Sequence, residues 1–167
     1  MTTTTKERGN AEMEELTQRR YGDDLYGWVE DQIALLKAGR LSEIDANNIA
    51  EELSDVGNEQ YDKLESAIRI VLLHLLKWDH QPSHRSSIWV LSIREHRRRI
   101  GLVLRKNPSL KPSIEEATLE GYANAQDDAI RETGLPETVF PDLCPYDWDT
   151  IMNRVVALGD ISSPRKR

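Results

Sequence analysis

Ala67-Ile68-Arg69-Ile70-Val71-Leu72-Leu73-His74-Leu75-Leu76-Lys77-Trp78 is the stretch that decides the fold. Around it, Leu64, Ile68, Val71, Leu75 and Trp78 step by four, three, four and three, the repeat of one helix face. Ile70, Leu72, Leu73 and Leu76 fall on the other faces. A helix that is apolar nearly all round has to be covered on most sides. The spacing therefore predicts a helix over about 59–78 at the centre of an all-α bundle. The apolar run is interrupted by His74 and falls well short of the roughly 20 residues needed to span a bilayer.

Upstream, Asp23-Asp24 suits a helix start. Leu25, Trp28, Val29, Ile33 and Leu36 follow at helical spacing until Gly39. A second helix is expected from Ser42 through Ile49, Leu53 and Val56, with Gly57 ending it. Downstream, Pro82 marks a loop over 81–85. The next helix spans about 86–106, with Trp89, Ile93, His96, Ile100 and Val103 on one seam, and Asn107-Pro108 stops it. Another helix is expected from Pro112 or Ser113 to Glu132, before Gly134-Leu135-Pro136 breaks the chain. A short turn at 137–140 and an extended, proline-punctuated 140–146 lead to a last helix over 147–158. The expectation is one domain of five to six helices over residues 21–158, between an N-terminal arm (1–20) and a C-terminal tail (159–167).

The totals fit this reading. In 167 residues there is room for a contiguous core, and alternating β-branched runs are few. The net charge of −7 argues against whole-surface binding to nucleic acid or anionic membrane, but not against a local basic face. Cys144 is the single cysteine, so neither an intrachain disulfide nor a cysteine-based metal cluster is possible. Residues 1–10 lack the apolar stretch of a signal peptide, and a cytoplasmic location is the expectation.

Several short motifs occur in a fixed order. They are Asn48-Ile49-Ala50-Glu51-Glu52-Leu53, His74-Leu75-Leu76-Lys77-Trp78, Gln81-Pro82, Trp89, Ile93-Arg94-Glu95-His96-Arg97-Arg98-Arg99-Ile100 and Asn107-Pro108-Ser109-Leu110. Glu132-Thr133, Phe140-Pro141 and Cys144-Pro145-Tyr146 complete the series. Together they resemble the bacterial family called domain of unknown function 29, over roughly Tyr21 to Leu158. The chain departs from the family pattern at His96, where members usually carry Gln. The resemblance implies an all-helical fold and a bacterial, often cyanobacterial, source. It brings no activity and no catalytic residues.

Two oppositely charged segments stand out. Residues 93–106 hold six cations against Glu95, a net +5, and residues 43–65 hold eight anions against Lys63, a net −7. Arg94, Arg98 and Arg105 share one helix face at i, i+4 and i+11. Asn48, Glu52, Asp55 and Glu59 would align similarly if the second helix continued past Gly57. Solvated faces with local ion pairs, each worth about 0–1 kcal/mol, are one reading. Pairing of the stripes within the fold or between subunits is another. Nucleic-acid binding through Arg94, Arg97, Arg98 and Arg105 is a third, and six phosphate contacts would give a log–log salt slope near −5.

His74, with Glu51 or Glu52 from the preceding helix, is the candidate for a metal or acid–base site, although no paired Glu-x-x-His pattern exists. A partly buried structural histidine is the plainer reading of His74 and of His96. His80 and His84 are four apart, but Pro82 between them disfavours a shared helix face. The loop with Trp78, His80, His84, Arg85 and Trp89 has a binding-site composition; equally, its tryptophans finish the core and Arg85 caps a helix end. No Gly-x-Ser-x-Gly and no glycine-rich phosphate loop occurs. The expected role is a non-enzymatic helical module that binds another protein or itself, without a cofactor. A metal-dependent or acid–base enzyme and nucleic-acid binding are the alternatives.

Overall fold

The computed structural model describes residues 19–158. Five α-helices follow one another: α1 (Leu25–Lys37), α2 (Ala46–His80), α3 (Ser87–Lys106), α4 (Ile114–Thr133) and α5 (Trp148–Asn153). Short 3-10 turns at Pro82–His84, Pro108–Ser113 and Glu137–Val139 join them, and no strand occurs among the described residues. The fold is the all-α helical bundle that the apolar spacing predicts. The expected N-terminal arm and C-terminal tail lie outside the described residues, apart from Arg19 and Arg20. By contacts, the chain divides into two compact units, residues 1–53 and 54–167.

In the first unit, Asp24 caps α1 by accepting a hydrogen bond from the Gly27 amide at 2.9 Å. Past α1, Gly39 adopts the left-handed conformation (φ 70°) that ends the helix cheaply. Trp28 and Leu35 are buried, and Tyr21 meets Trp28 edge to face at 4.9 Å between ring centroids. Gln32 is buried too, its Oε1 accepting from the Asp45 amide at 2.8 Å. Leu25, Tyr26, Ile33, Leu36, Leu41 and Leu53 stay exposed, a large apolar share for 35 described residues.

One boundary differs from expectation. Gly57 does not end a helix; α2 passes through it and runs for 35 residues, beginning beyond Ser42 where Asp45 accepts from the Asn48 amide. Glycine costs a helix interior only about 1 kcal/mol relative to alanine, which the contacts made further along the same helix outweigh.

In the second unit, Leu64, Ile68, Val71, Leu72, Leu75 and Leu76 are fully buried. Around them pack Ile93 and Ile100 of α3, Ala117, Tyr122, Ala125 and Ala129 of α4, Phe140 and Tyr146 of the connecting segment, and Ile151 of α5. Small residues on α4 let it approach α2 closely. A Cβ added to Gly121 would stand 3.3 Å from the Arg69 amide nitrogen and 3.4 Å from the Glu65 carbonyl oxygen. Gly134, left-handed at φ 69°, closes α4. The last helix stops at Asn153, five residues short of the expected end, because Arg154 turns extended (ψ 127°).

Two glycines of α2 and α4 should respond oppositely to a side chain. Gly121→Leu is expected to lose about 1–3 kcal/mol by overpacking. Gly57→Ala meets nothing within 4 Å and should gain about 0.5–1 kcal/mol. Urea unfolding followed by circular dichroism measures both.

Candidate functional site

The arginine face of α3 is the feature with the clearest unspent chemistry. Arg94, Arg98 and Arg105 are exposed and, among the described residues, form no ion pair or hydrogen bond. They line a groove of about 790 Å³ whose apolar lining includes Val90, Ile93 and Leu102 of α3. Met152, Val155 and Val156 supply the opposite wall. Arg99, by contrast, is paired with Glu95 one turn earlier at 2.5 Å. Three uncompensated cations beside an apolar floor make a surface for an amphipathic anion.

Arg97 lies in the same run but is already engaged. Its Nε donates to the Ile151 carbonyl at 2.6 Å, Nη1 to that of Arg154 at 2.8 Å and Nη2 to that of Thr150 at 3.1 Å. One guanidinium thus binds three carbonyls at and just past the end of α5, Thr150 also accepting from the Arg154 amide, and fixes the wall of the groove. Arg154 in turn makes a bidentate pair with Asp79 of α2 at 2.6 and 2.8 Å, and the Tyr146 hydroxyl donates to the same carboxylate at 2.8 Å. Burial raises the Asp79 pKa, but the hydrogen bonds from Arg154 and Tyr146 outweigh it and hold the carboxyl below its usual range.

His74 sits in a different cluster. Its ring centroid is 6.4 Å from that of Trp89, over which the Lys77 ammonium stands at 4.7 Å. Lys77 also pairs with Glu132 at 2.6 Å. Nδ1 of His74 is buried and no protein group among the described residues hydrogen-bonds it. Burial, then the Lys77 charge, pushes its pKa down to about 4; Glu132 opposes and His96 adds to the fall. The imidazole is therefore neutral at pH 7. His96 donates from Nδ1 to the Ser92 carbonyl, 2.9 Å away on its own helix.

The carboxylates expected beside His74 are differently placed. Glu51 and Glu52 belong to the first unit, His74 to the second, and all three are on α2. With one helix running through Gly57, Glu51 and Glu52 do not come from a separate helix before that of His74. Glu52 accepts instead from the Tyr21 hydroxyl at 2.7 Å. Among the described residues, no group of three or more His, Cys, Asp or Glu side chains is placed to hold a metal ion.

The loop after α2 divides its residues among structural contacts. Arg85 donates to the Trp78 carbonyl at 2.9 Å and stacks on the Trp78 ring at 4.8 Å, closing the carboxyl end of the helix. The His80 ring meets Phe140 edge to face at 5.2 Å, while exposed His84 interacts with Ser83. Cys144 is half-buried; burial pushes its thiol pKa up, and Sγ contacts the Tyr146 carbonyl at 3.5 Å.

The shared face of Arg94, Arg98 and Arg105 is legible in the sequence, whereas the second wall of the groove is not. Met152, Val155 and Val156 gave a signal only as apolar residues in a predicted terminal helix. A model of the family described as "Domain of unknown function DUF29" matches residues 20–156, and the chain belongs to that family. No curated protein and no solved structure matches the chain.

Two outcomes follow from these clusters. The His74 pKa is lowered from an ordinary 6.5 to about 4 in the fold. Between those values the unfolded chain binds the extra proton, so stability is full above pH 6.5 and falls as the pH drops toward 4. The loss should reach at most roughly 2–3 kcal/mol for this half-buried ring, and His74→Met should flatten it in urea midpoints measured across that range. Arg97→Ala removes the side-chain donor to three carbonyls, of which Thr150 keeps the Arg154 amide, and should cost about 2–4 kcal/mol. Hydrogen exchange should then speed up first at residues 150–156.

Proposed function

We propose that this member of the DUF29 family is a non-enzymatic interaction module whose α3 groove seats an acidic, amphipathic helical segment of a protein partner. The observation that carries the reading is the absence of any anionic partner for Arg94, Arg98 and Arg105 among the described residues, beside an apolar floor. The groove follows α3 from Val90 to Arg105, which at about 1.5 Å per residue is roughly 22 Å, four turns of a bound helix. Apolar side chains of the partner would fill the floor and carboxylates would meet the guanidinium row, the helix-in-groove mode with charge fixing the register.

Acid–base chemistry at His74 has less support, since no carboxylate among the described residues bonds its buried nitrogen. Nucleic-acid binding uses the same arginines but makes no use of the apolar floor, and the net charge of −7 opposes it.

Fluorescence anisotropy with a labelled helical peptide bearing carboxylates at i, i+4 and i+11 and leucines on the adjoining face tests the reading. Saturable binding is expected, weakened at least about tenfold by Arg98→Glu and absent for a scrambled peptide of equal charge. Equal binding of both peptides would overturn it. So would tighter binding of a DNA duplex with a salt slope near −3, the value for about three phosphate contacts.

A further inference from the structure

α1 carries more apolar surface than the first unit covers. On a wheel of about 100° per residue counted from Leu25, buried Trp28, Gln32 and Leu35 point between about 280° and 340°. Leu25, Leu36, Val29 and Ile33 continue the apolar arc from 0° to about 80°. Of these only Val29 is partly buried; Leu25, Ile33 and Leu36 stay exposed. A surface helix normally turns its whole apolar stripe to a core, and here half of the stripe has none.

The start of α2 repeats the pattern on the same side. Tyr21 bonds Glu52, Trp28 shares a cavity with Asn48, and Gln32 bonds Asp45, so the chain returns antiparallel to α1. Asn48 and Glu52 therefore mark the side of α2 turned to α1, and Ile49 and Leu53 lie roughly 100° further round. On α1 the exposed stripe likewise lies about 90° beyond the mutual face, in the same sense of rotation along the chain. Because the helices are antiparallel, these matching rotations bring both stripes to one side of the hairpin. Leu53 is 66% exposed there, and Ala46 and Ala50 beside it are small enough to let a facing helix come near.

Two helices with one open apolar face lack a second layer. Residues 1–18 offer only Met1, Ala11, Met13 and Leu16 as apolar side chains, too few to supply it. Exposed Leu25, Tyr26, Ile33, Leu36 and Leu53 come to on the order of 600 Å², the top of the range for a monomer's largest patch and near the roughly 800 Å² a side of a standard interface. A second hairpin of the same kind matches that face in size and chemistry. Charge fits as well: in an antiparallel pair of α1 helices with Leu25 level with Leu36 of the other copy, Val29 comes level with Ile33 and Asp23 with Lys37.

We infer that this hairpin is a homodimer interface, α1 and the start of α2 packing on the same two helices of a second copy. The contact is isologous, each copy presenting one face to its twin, and the result is a four-helix arrangement. None of its residues lines the α3 groove, so the inference is independent of the acidic-helix reading.

Sedimentation velocity and light scattering of the full chain, from about 1 to 100 µM, test it. The wild type is expected to reach twice its chain mass of 19.2 kDa, and about 0.5 M salt should not dissociate an apolar contact. Ile33→Glu with Leu36→Glu should weaken self-association at least about tenfold, with the helical circular dichroism retained. Leu53→Lys, on the other helix and at a more exposed position, should do the same and decides the matter if the first variant fails to fold. Exposed Leu143→Glu, outside the hairpin, should leave the dimer intact. Arg98→Glu should also leave it intact, and the Ile33→Glu, Leu36→Glu chain should still bind the acidic peptide, so the two readings fail separately. A wild type that stays monomeric at 100 µM would overturn the inference and leave the face to a different protein. A dimer that survives both hairpin variants would overturn it too.

Discussion

Burial of the second half of α2 is the constraint on which the remaining structure depends. From Leu64 to Trp78 the helix presents apolar side chains in every direction, and Leu64, Ile68, Val71, Leu72, Leu75 and Leu76 are all fully enclosed. Leaving such side chains in water would cost about 1.5–3 kcal/mol each. Enclosing them takes neighbours on all sides, which α3, α4, α5 and the segment through Phe140 and Tyr146 provide. Even Gly121 follows from this demand, because only a residue without a side chain lets α4 lie against the backbone at Arg69.

Charged groups that α2 brings to the edge of this core each meet a fixed partner. Arg69 reaches the buried Asp128 at 2.5 Å, Lys77 reaches Glu132 at 2.6 Å, and Asp79 takes the Arg154 fork. Asp128 is only 4% exposed, so it depends on Arg69 and Arg131 for the solvation it has given up. These pairs tie α4 and the end of α5 to one helix in one register. Arg97 completes the arrangement from α3 by holding the carbonyls at 150, 151 and 154. Polar groups here determine where the chain after α5 runs, and hence that an apolar wall stands opposite the arginine row.

The contrast between the two ends of α2 bears on function. The 35-residue α2 has fully buried positions only from Leu64 onward, while Leu53 and Val56 nearer its start are exposed. The unpaired arginines of α3 and the apolar wall beside them carry the functional proposal.

Much of the fold was legible in the sequence because burial writes itself as periodicity. The three-four steps through Leu64, Ile68, Val71, Leu75 and Trp78, the stop at Gly134 and the break at Asn107-Pro108 are local signals, and all lie where the structure has them. Gly57 misled, because a propensity worth about 1 kcal/mol is readily overruled by tertiary contacts. The terminal helix was read as too long, since its end is set by Arg97, whose carbonyl partners lie more than 50 residues away in the chain. For the site, the sequence determined that Arg94, Arg98 and Arg105 share a face; helical geometry alone requires it. Only the tertiary structure decided that Arg97 is spent on backbone carbonyls while its neighbours stay unpaired, and that an apolar wall from 152–156 turns their face into a groove. Those are facts of long-range packing, and spacing along a chain carries no record of which distant residue will arrive opposite.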